Sequence, residues 1–151
     1  GIRNSKNPTP IIFDPALSIP RTARLFKYHR PLIITTTSAL SSSELKRAEV
    51  VRKAQIKAYT HRRGVLPLRR ILRDLAKENI SSVLVEGGQY TLTRFFDANV
   101  VNEWIIIRSS KIFGSGVDFI EHVDRFSTTF RLRQKIRSGT DTIEYYIPRK
   151  T

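Results

Sequence analysis

The 151 residues contain no cysteine, few carboxylates and no long apolar stretch, and each shortage removes a class of protein. Without cysteine there is no disulfide framework, no thiol nucleophile and no thiolate metal site. No apolar run exceeds about five residues, which is too short to cross a bilayer, and residues 1–10 are not a signal peptide. No membrane is therefore expected as a partner, and the protein is expected in the cytoplasm, or in a plastid if it comes from a plant. His29, His61 and His122 stand far apart without HExxH-like spacing and read as surface residues rather than metal ligands. A G-x-S-x-G elbow, a Walker loop and a G-x-G-x-x-G fingerprint are also missing, which disfavours serine hydrolases, P-loop NTPases and ordinary Rossmann domains.

What is abundant is positive charge. Against 13 acidic residues stand 27 basic ones, a formal net charge of +14. Such a surplus attracts nucleotides, phosphorylated metabolites and nucleic acid alike, so charge by itself does not choose among them. The clusters Lys27-Tyr28-His29-Arg30 and Arg62-Arg63 are of a kind usually found as solvated surface. Aromatics do not interleave with them as a single-strand stacking platform requires.

Residues 1–151 read as a single domain, long enough to bury a core. Ile11-Ile12-Phe13-Asp14 is a short strand stopped by Pro15, and Leu17 to Phe26 a loop closing into one helical turn. Pro31 opens a β-branched strand over Leu32 to Thr37, and Ser41 or Ser42 can cap a helix starting near Glu44 and Leu45. Gln55 to Tyr59 is read as a strand, although a helix fits almost equally well. Leu66 to Asn79 is amphipathic, with Leu68, Ile71, Leu72 and Leu75 on one face. A strand at Val83 to Val85, a helix at Tyr90 to Asp97 ended by Asn99, and a strand at Trp104 to Arg108 follow. Gly114 and Gly116 break the next loop. Phe130 to Ile136 and Thr142 to Ile147 alternate around Ser138-Gly139-Thr140-Asp141 as an antiparallel hairpin. The fold class is α/β: a mixed, mostly parallel sheet with helices on both faces and a C-terminal antiparallel hairpin.

The ligand is expected where Val83-Leu84-Val85 turns at Glu86-Gly87-Gly88 into a helix. Adjacent glycines let backbone approach a ligand, and the helix directs free N–H groups at the same point, which makes an anion site. A plain strand-to-helix turn would use the same dipeptide. Glu86 adds a carboxylate at the C-terminal end of a strand, where ligands of open α/β sheets collect. Thr35-Thr36-Thr37-Ser38, at another strand end, can receive a phosphate such as the 2′-phosphate of NADPH, although threonine also simply suits a strand end.

Gly64-Val65-Leu66-Pro67-Leu68, Ile80-Ser81-Ser82-Val83-Leu84-Val85-Glu86-Gly87-Gly88, Phe95-Phe96, Asn99-Val100-Val101-Asn102-Glu103 and Ile112-Phe113-Gly114, in that order, resemble the reductase domain of the bifunctional riboflavin-biosynthesis deaminase/reductases, the RibD family. Upstream, Pro10 to Asp14 and Leu17 to Pro20 are similar to that family's early strand and loop. The resemblance implies a dihydrofolate-reductase-like fold and NADPH-dependent reduction of 5-amino-6-(5-phosphoribosylamino)uracil. By the same resemblance Arg3 and Glu86 bind substrate, while Gly88, Gln89, Tyr90, Thr91, Leu92, Thr93 and Arg94 hold the cofactor; Gly87 of the same turn, and Thr36 and Thr37 by their strand-end position, are the further cofactor candidates. No residue is assigned a catalytic role and no metal is implied. The family also implies a homodimer and an upstream deaminase domain.

The chain departs from the family at Asn102, where aspartate is usual, at Asn99, usually glycine, at Ser110, usually proline, and at Pro15, often a small polar residue. The family's opening strand and the residues lining the nicotinamide side have no counterpart before Arg3. The chain is accordingly expected to be N-terminally incomplete or a shortened relative, holding NADPH weakly and failing to transfer hydride by itself. The other reading is a catalytically inactive, reductase-like basic domain that binds nucleic acid or a protein partner.

Overall fold

The computed structural model describes residues 8–20, 22–28, 31–38, 54–60, 65–112 and 114–149. The helix expected near Glu44 and Leu45 lies outside them, as does Arg3. Contacts divide the chain into two compact units, Gly1–Pro67 and Leu68–Thr151.

The first unit is built on a parallel three-stranded sheet of β1 (Ile11–Phe13), β2 (Leu32–Thr36) and β3 (Gln55–Tyr59), in that order. Ile12 pairs with Ile33, and Ile33 with Ile56. The middle strand is buried at every position, which suits its unbroken β-branched and aliphatic sequence. Leu17, Ile33 and Ala54 form the core, with Ile12, Ile19, Phe26 and Ile56 against them. Asp14 turns the chain after β1. Its carboxylate accepts hydrogen bonds from Ser18 Oγ at 2.9 Å and from the Ile19 amide at 2.8 Å, while Leu17 adopts a left-handed φ of 53° and is buried. The expected helical turn is α1 (Leu25–Tyr28).

In the second unit α2 (Leu68–Lys77) buries Leu68, Ile71 and Leu75, as its apolar spacing requires. Asn79 at φ 63° ends it: the Asn79 and Ile80 amides donate to the Ala76 and Leu75 carbonyls, closing a Schellman turn. α3 (Gln89–Asp97) stops in the same manner, with Asn99 at φ 50° donating to the Phe96 carbonyl. β4 (Trp104–Arg108), α4 (Phe126–Thr129), β5 (Phe130–Ser138) and β6 (Asp141–Pro148) complete the unit. The strands form a second, antiparallel sheet in the order β4-β6-β5, with a bulge between Leu132 and Gln134. Gly139, at φ 60°, takes the first central position of the two-residue hairpin turn, where a positive φ favours glycine.

One expected element is corrected. Val83 to Val85 is not a strand: residues 80–88 join no sheet among the described residues, and Leu84 is 78% exposed. Apolar alternation favours the extended backbone, but a strand also needs a neighbour's N–H and C=O groups to complete its ladder.

The sheet's inner face carries two contrasting halves. Near Trp104 it is aromatic: Phe96, Trp104, Ile120, Phe126 and Phe130 are buried together, with Phe119 and Tyr146 packed on them. Further along it holds a buried carboxylate, Glu144, which accepts from Arg108 Nε at 2.7 Å, Lys135 Nζ at 3.1 Å and the Tyr146 hydroxyl at 2.8 Å. The Arg108 hydrogen bond, aided by those of Tyr146 and Lys135, outweighs burial and lowers the Glu144 pKa to about 2. Because the folded pKa lies below the unfolded value, this stabilisation is complete above about pH 4.5 and is lost as pH falls toward 2. Glu144→Gln should cost about 2 kcal/mol at neutral pH, the scale of a hydrogen bond to a charged group, and should flatten the pH dependence of unfolding between those limits. Chemical denaturation across that range measures both.

Candidate functional site

The glycine turn is set by its neighbours on both sides. Gly88 is the N-cap of α3 at φ −75°, ψ 176°, and no side chain caps the helix. The first-turn amides of Gln89, Tyr90 and Thr91 are therefore left to solvent or to a ligand, at the positive end of the helix dipole. Glu86, Gly87 and Gly88 are all exposed, so the approach is open. Gly87 is fixed by space rather than by dihedral angle: a Cβ there would lie 2.9 Å from Thr91 Cβ. Thr91 thus packs directly over the turn. At Gly88 an added Cβ meets nothing within 4 Å, which leaves that side of the turn free for a bulky ligand.

Along α3 the side chains divide by face. Tyr90 is 59% exposed, and the Arg94 guanidinium lies 4.9 Å from its ring centroid, one helical turn on. The pair holds a cation over a first-turn side chain, and Arg94 Nε is buried without a hydrogen-bond partner among the described residues. Leu92 packs on the aromatic core. Thr93 is buried, and its Oγ1 accepts from the Glu121 amide at 2.9 Å, tying the loop before α4 to the helix. The side chains of Leu92 and Thr93 therefore support the helix, while Gln89, Tyr90 and Thr91 form its open first turn and Arg94 stacks back on Tyr90.

Thr36 and Thr37 belong to the first unit. The Thr36 hydroxyl donates to the Pro15 carbonyl at 2.9 Å and also meets Ser38 Oγ at 3.0 Å, whereas Thr37 is exposed. Sequence reasoning overlooked three features of the second unit. The Tyr90–Arg94 pair was legible in its i, i+4 spacing, and the Phe119–Phe126–Phe130 cluster in its density of aromatics. The Thr93–Glu121 tie had no local signal.

The close approach at Gly87 makes a test. Gly87→Ala should destabilise the unit by about 1–3 kcal/mol, the usual cost of overpacking, and weaken any anion held at the turn, while Gly88→Ala should leave stability within about 1 kcal/mol. Combining Gly87→Ala with Thr91→Gly should restore anion binding. Thermal melts and ligand titration of the three variants decide the point.

The RibD C-terminal domain family model matches residues 2–143. The riboflavin biosynthesis protein RibD of Aquifex aeolicus is 27% identical over 117 residues, covering 77% of this chain and 31% of that protein. Among solved structures, the diaminohydroxyphosphoribosylaminopyrimidine deaminase/5-amino-6-(5-phosphoribosylamino)uracil reductase of Thermotoga maritima superposes over 97% of this chain and 39% of its own, with TM-score 0.74 and 24% identity. A pyrimidine reductase-like protein from Corynebacterium diphtheriae superposes with TM-score 0.75 at 16% identity, covering 95% of this chain and 62% of that one. The chain thus spans only about a third of the RibD proteins it resembles. With a mixed α/β fold of parallel sheet, helices and C-terminal antiparallel sheet, matched by family model over nearly its whole length, the chain belongs to the RibD C-terminal domain family.

Proposed function

We propose that this domain reduces 5-amino-6-(5-phosphoribosylamino)uracil with NADPH, converting its ring-opened ribose into a ribityl chain. The observation that supports this most directly is the uncapped N-terminus of α3 behind Gly87-Gly88, with Arg94 beside it: a set of donors suited to a dinucleotide's phosphates. When bound, the nicotinamide supplies a hydride from C4 to the sugar C1′. The chain's part is to hold and orient. The open amides of Gln89, Tyr90 and Thr91 and the Arg94 guanidinium take phosphate oxygens, and Glu86, exposed at the turn, accepts hydrogen bonds from the pyrimidine or ribose. Arg3, assigned to substrate by resemblance, would take the 5′-phosphate. A deaminase, the other activity named for the Thermotoga relative, would work on the same pyrimidine series.

We also propose a homodimer. β4 is an edge of its sheet, and its Ile105 and Ile107 are 49% and 68% exposed, an apolar edge that a second copy would cover.

Titration with NADPH should be saturable, tighter than with NADH and weakly dependent on salt. Steeply salt-dependent binding of RNA or DNA with no response to NADPH would overturn the reductase reading. In assays of NADPH oxidation with the pyrimidine substrate, run on the chain extended upstream, Glu86→Gln should lower kcat/KM by about tenfold or more, roughly 1–2 kcal/mol, and change NADPH affinity less. An unchanged kcat/KM would make Glu86 structural. Sedimentation at tens of micromolar should show a dimer that Ile107→Glu shifts toward monomer; monomer alone in the unsubstituted chain would rule the dimer out.

A further inference from the structure

The far end of the antiparallel sheet holds a cluster that the reductase reading leaves unused. Residues paired across a sheet share a face. Arg108, Thr142 and Arg137 therefore make one cross-strand row, and Ile106, Glu144 and Lys135 the next. With strands about 4.8 Å apart, the Arg108 and Arg137 Cα atoms stand about 10 Å from each other with Thr142 midway. Two arginine side chains from those positions can converge on one small group above the Thr142 hydroxyl.

The cluster is oriented before any ligand arrives. Arg108 is anchored through Nε to the buried Glu144 carboxylate at 2.7 Å, yet its side chain is 57% exposed. Lys135 is held by the other carboxylate oxygen at 3.1 Å. Arg137 donates Nε to the Gly139 carbonyl at 3.2 Å and has no carboxylate partner among the described residues. Two of the three cations thus share one carboxylate and the third has none among the described residues, leaving local positive charge around a half-buried hydroxyl. Edge strands carry basic residues to discourage pairing with other sheets, which accounts for Lys135 and Arg137 taken singly. It does not account for Arg137 sharing a cross-strand row with Arg108 from two strands away.

We propose that Arg108, Thr142 and Arg137, with Lys135 beside them, form a binding site for a phosphate group, separate from the residues of the glycine turn. Guanidinium forks match phosphate oxygens in pairs, and the anchored Arg108 loses little freedom on binding. Free phosphate and the phosphate ester of a nucleotide or sugar offer the same chemistry.

The test is a titration of the 151-residue chain with inorganic phosphate at constant ionic strength, followed by NMR at the arginine Nε–H groups and the Thr142 amide. Saturable shifts at Arg108, Arg137 and Thr142 are expected. Arg137→Ala, an exposed residue that does not touch Glu144, should weaken binding by about tenfold, and Thr142→Val should weaken it by less. Arg133→Ala, on the same strand but at the bulge, should leave binding unchanged. Shifts that never saturate, or equal losses from Arg133→Ala and Arg137→Ala, would reduce the effect to general charge attraction and overturn the site. Tighter binding of a nucleoside monophosphate or a sugar phosphate than of inorganic phosphate would identify an ester as the source, and equal binding would identify free phosphate. An acidic peptide binding as tightly as any of them would refute a phosphate site.

Discussion

The packing of Phe96 against Trp104, Phe126 and Phe130 is the contact on which the proposed ligand site depends. Its ring lies 6.5 Å from Trp104, 6.4 Å from Phe126 and 6.0 Å from Phe130. Through this side chain near its C-terminal end, with Leu92 beside it, α3 is fixed to the antiparallel sheet. Aromatic packing of this kind is directional as well as apolar, so it sets the rotation of the helix about its axis as well as its depth. That rotation turns Thr93 toward the Glu121 amide and leaves Tyr90 in solvent. Removing the aromatic core would move the helix N-terminus without touching any residue there.

The sequence was informative where a local pattern was sufficient. α2 and α3 follow their apolar spacing, the asparagines that end them occupy left-handed positions, and β3 falls at Gln55–Tyr59. The terminal hairpin follows its alternation and its glycine. Legibility failed at Val83 to Val85, where an apolar triplet suggests a doubly covered strand but the decisive quantity, a hydrogen-bonding neighbour, is non-local. It failed again at Glu144. An acidic residue within an alternating strand reads as solvent-facing, and only the register of three strands brings Arg108 and Lys135 onto its carboxylate. At the candidate site, the glycine turn and its helix were legible. What Gly87 must avoid was not, because the obstacle is the volume of Thr91 one turn further on.

Charge is distributed by different logic in the two units. Asp14, Glu44 and Glu49 are the only carboxylates before residue 68, so the first unit carries its positive charge with little internal compensation. In the second, Asp74, Asp97, Glu103 and Glu144 pair with nearby cations. Most of these pairs are exposed and contribute little to stability. Glu144 differs because its carboxylate is buried, so losing a partner would leave an ion without solvent.

Among the described residues no ladder forms across residues 80–88, which has a consequence for motion. A helix entered from a paired strand is held at both ends, whereas α3 is held along its length by Leu92, Thr93 and Phe96, with no paired strand in front among the described residues. Amide hydrogens from Ser81 to Gly88 should accordingly exchange with solvent far sooner than those around Phe96, which open only when the aromatic core does. A ligand that bridges the first-turn amides would act as the missing clamp, and its binding energy would be spent in part on quieting the segment that presents Glu86.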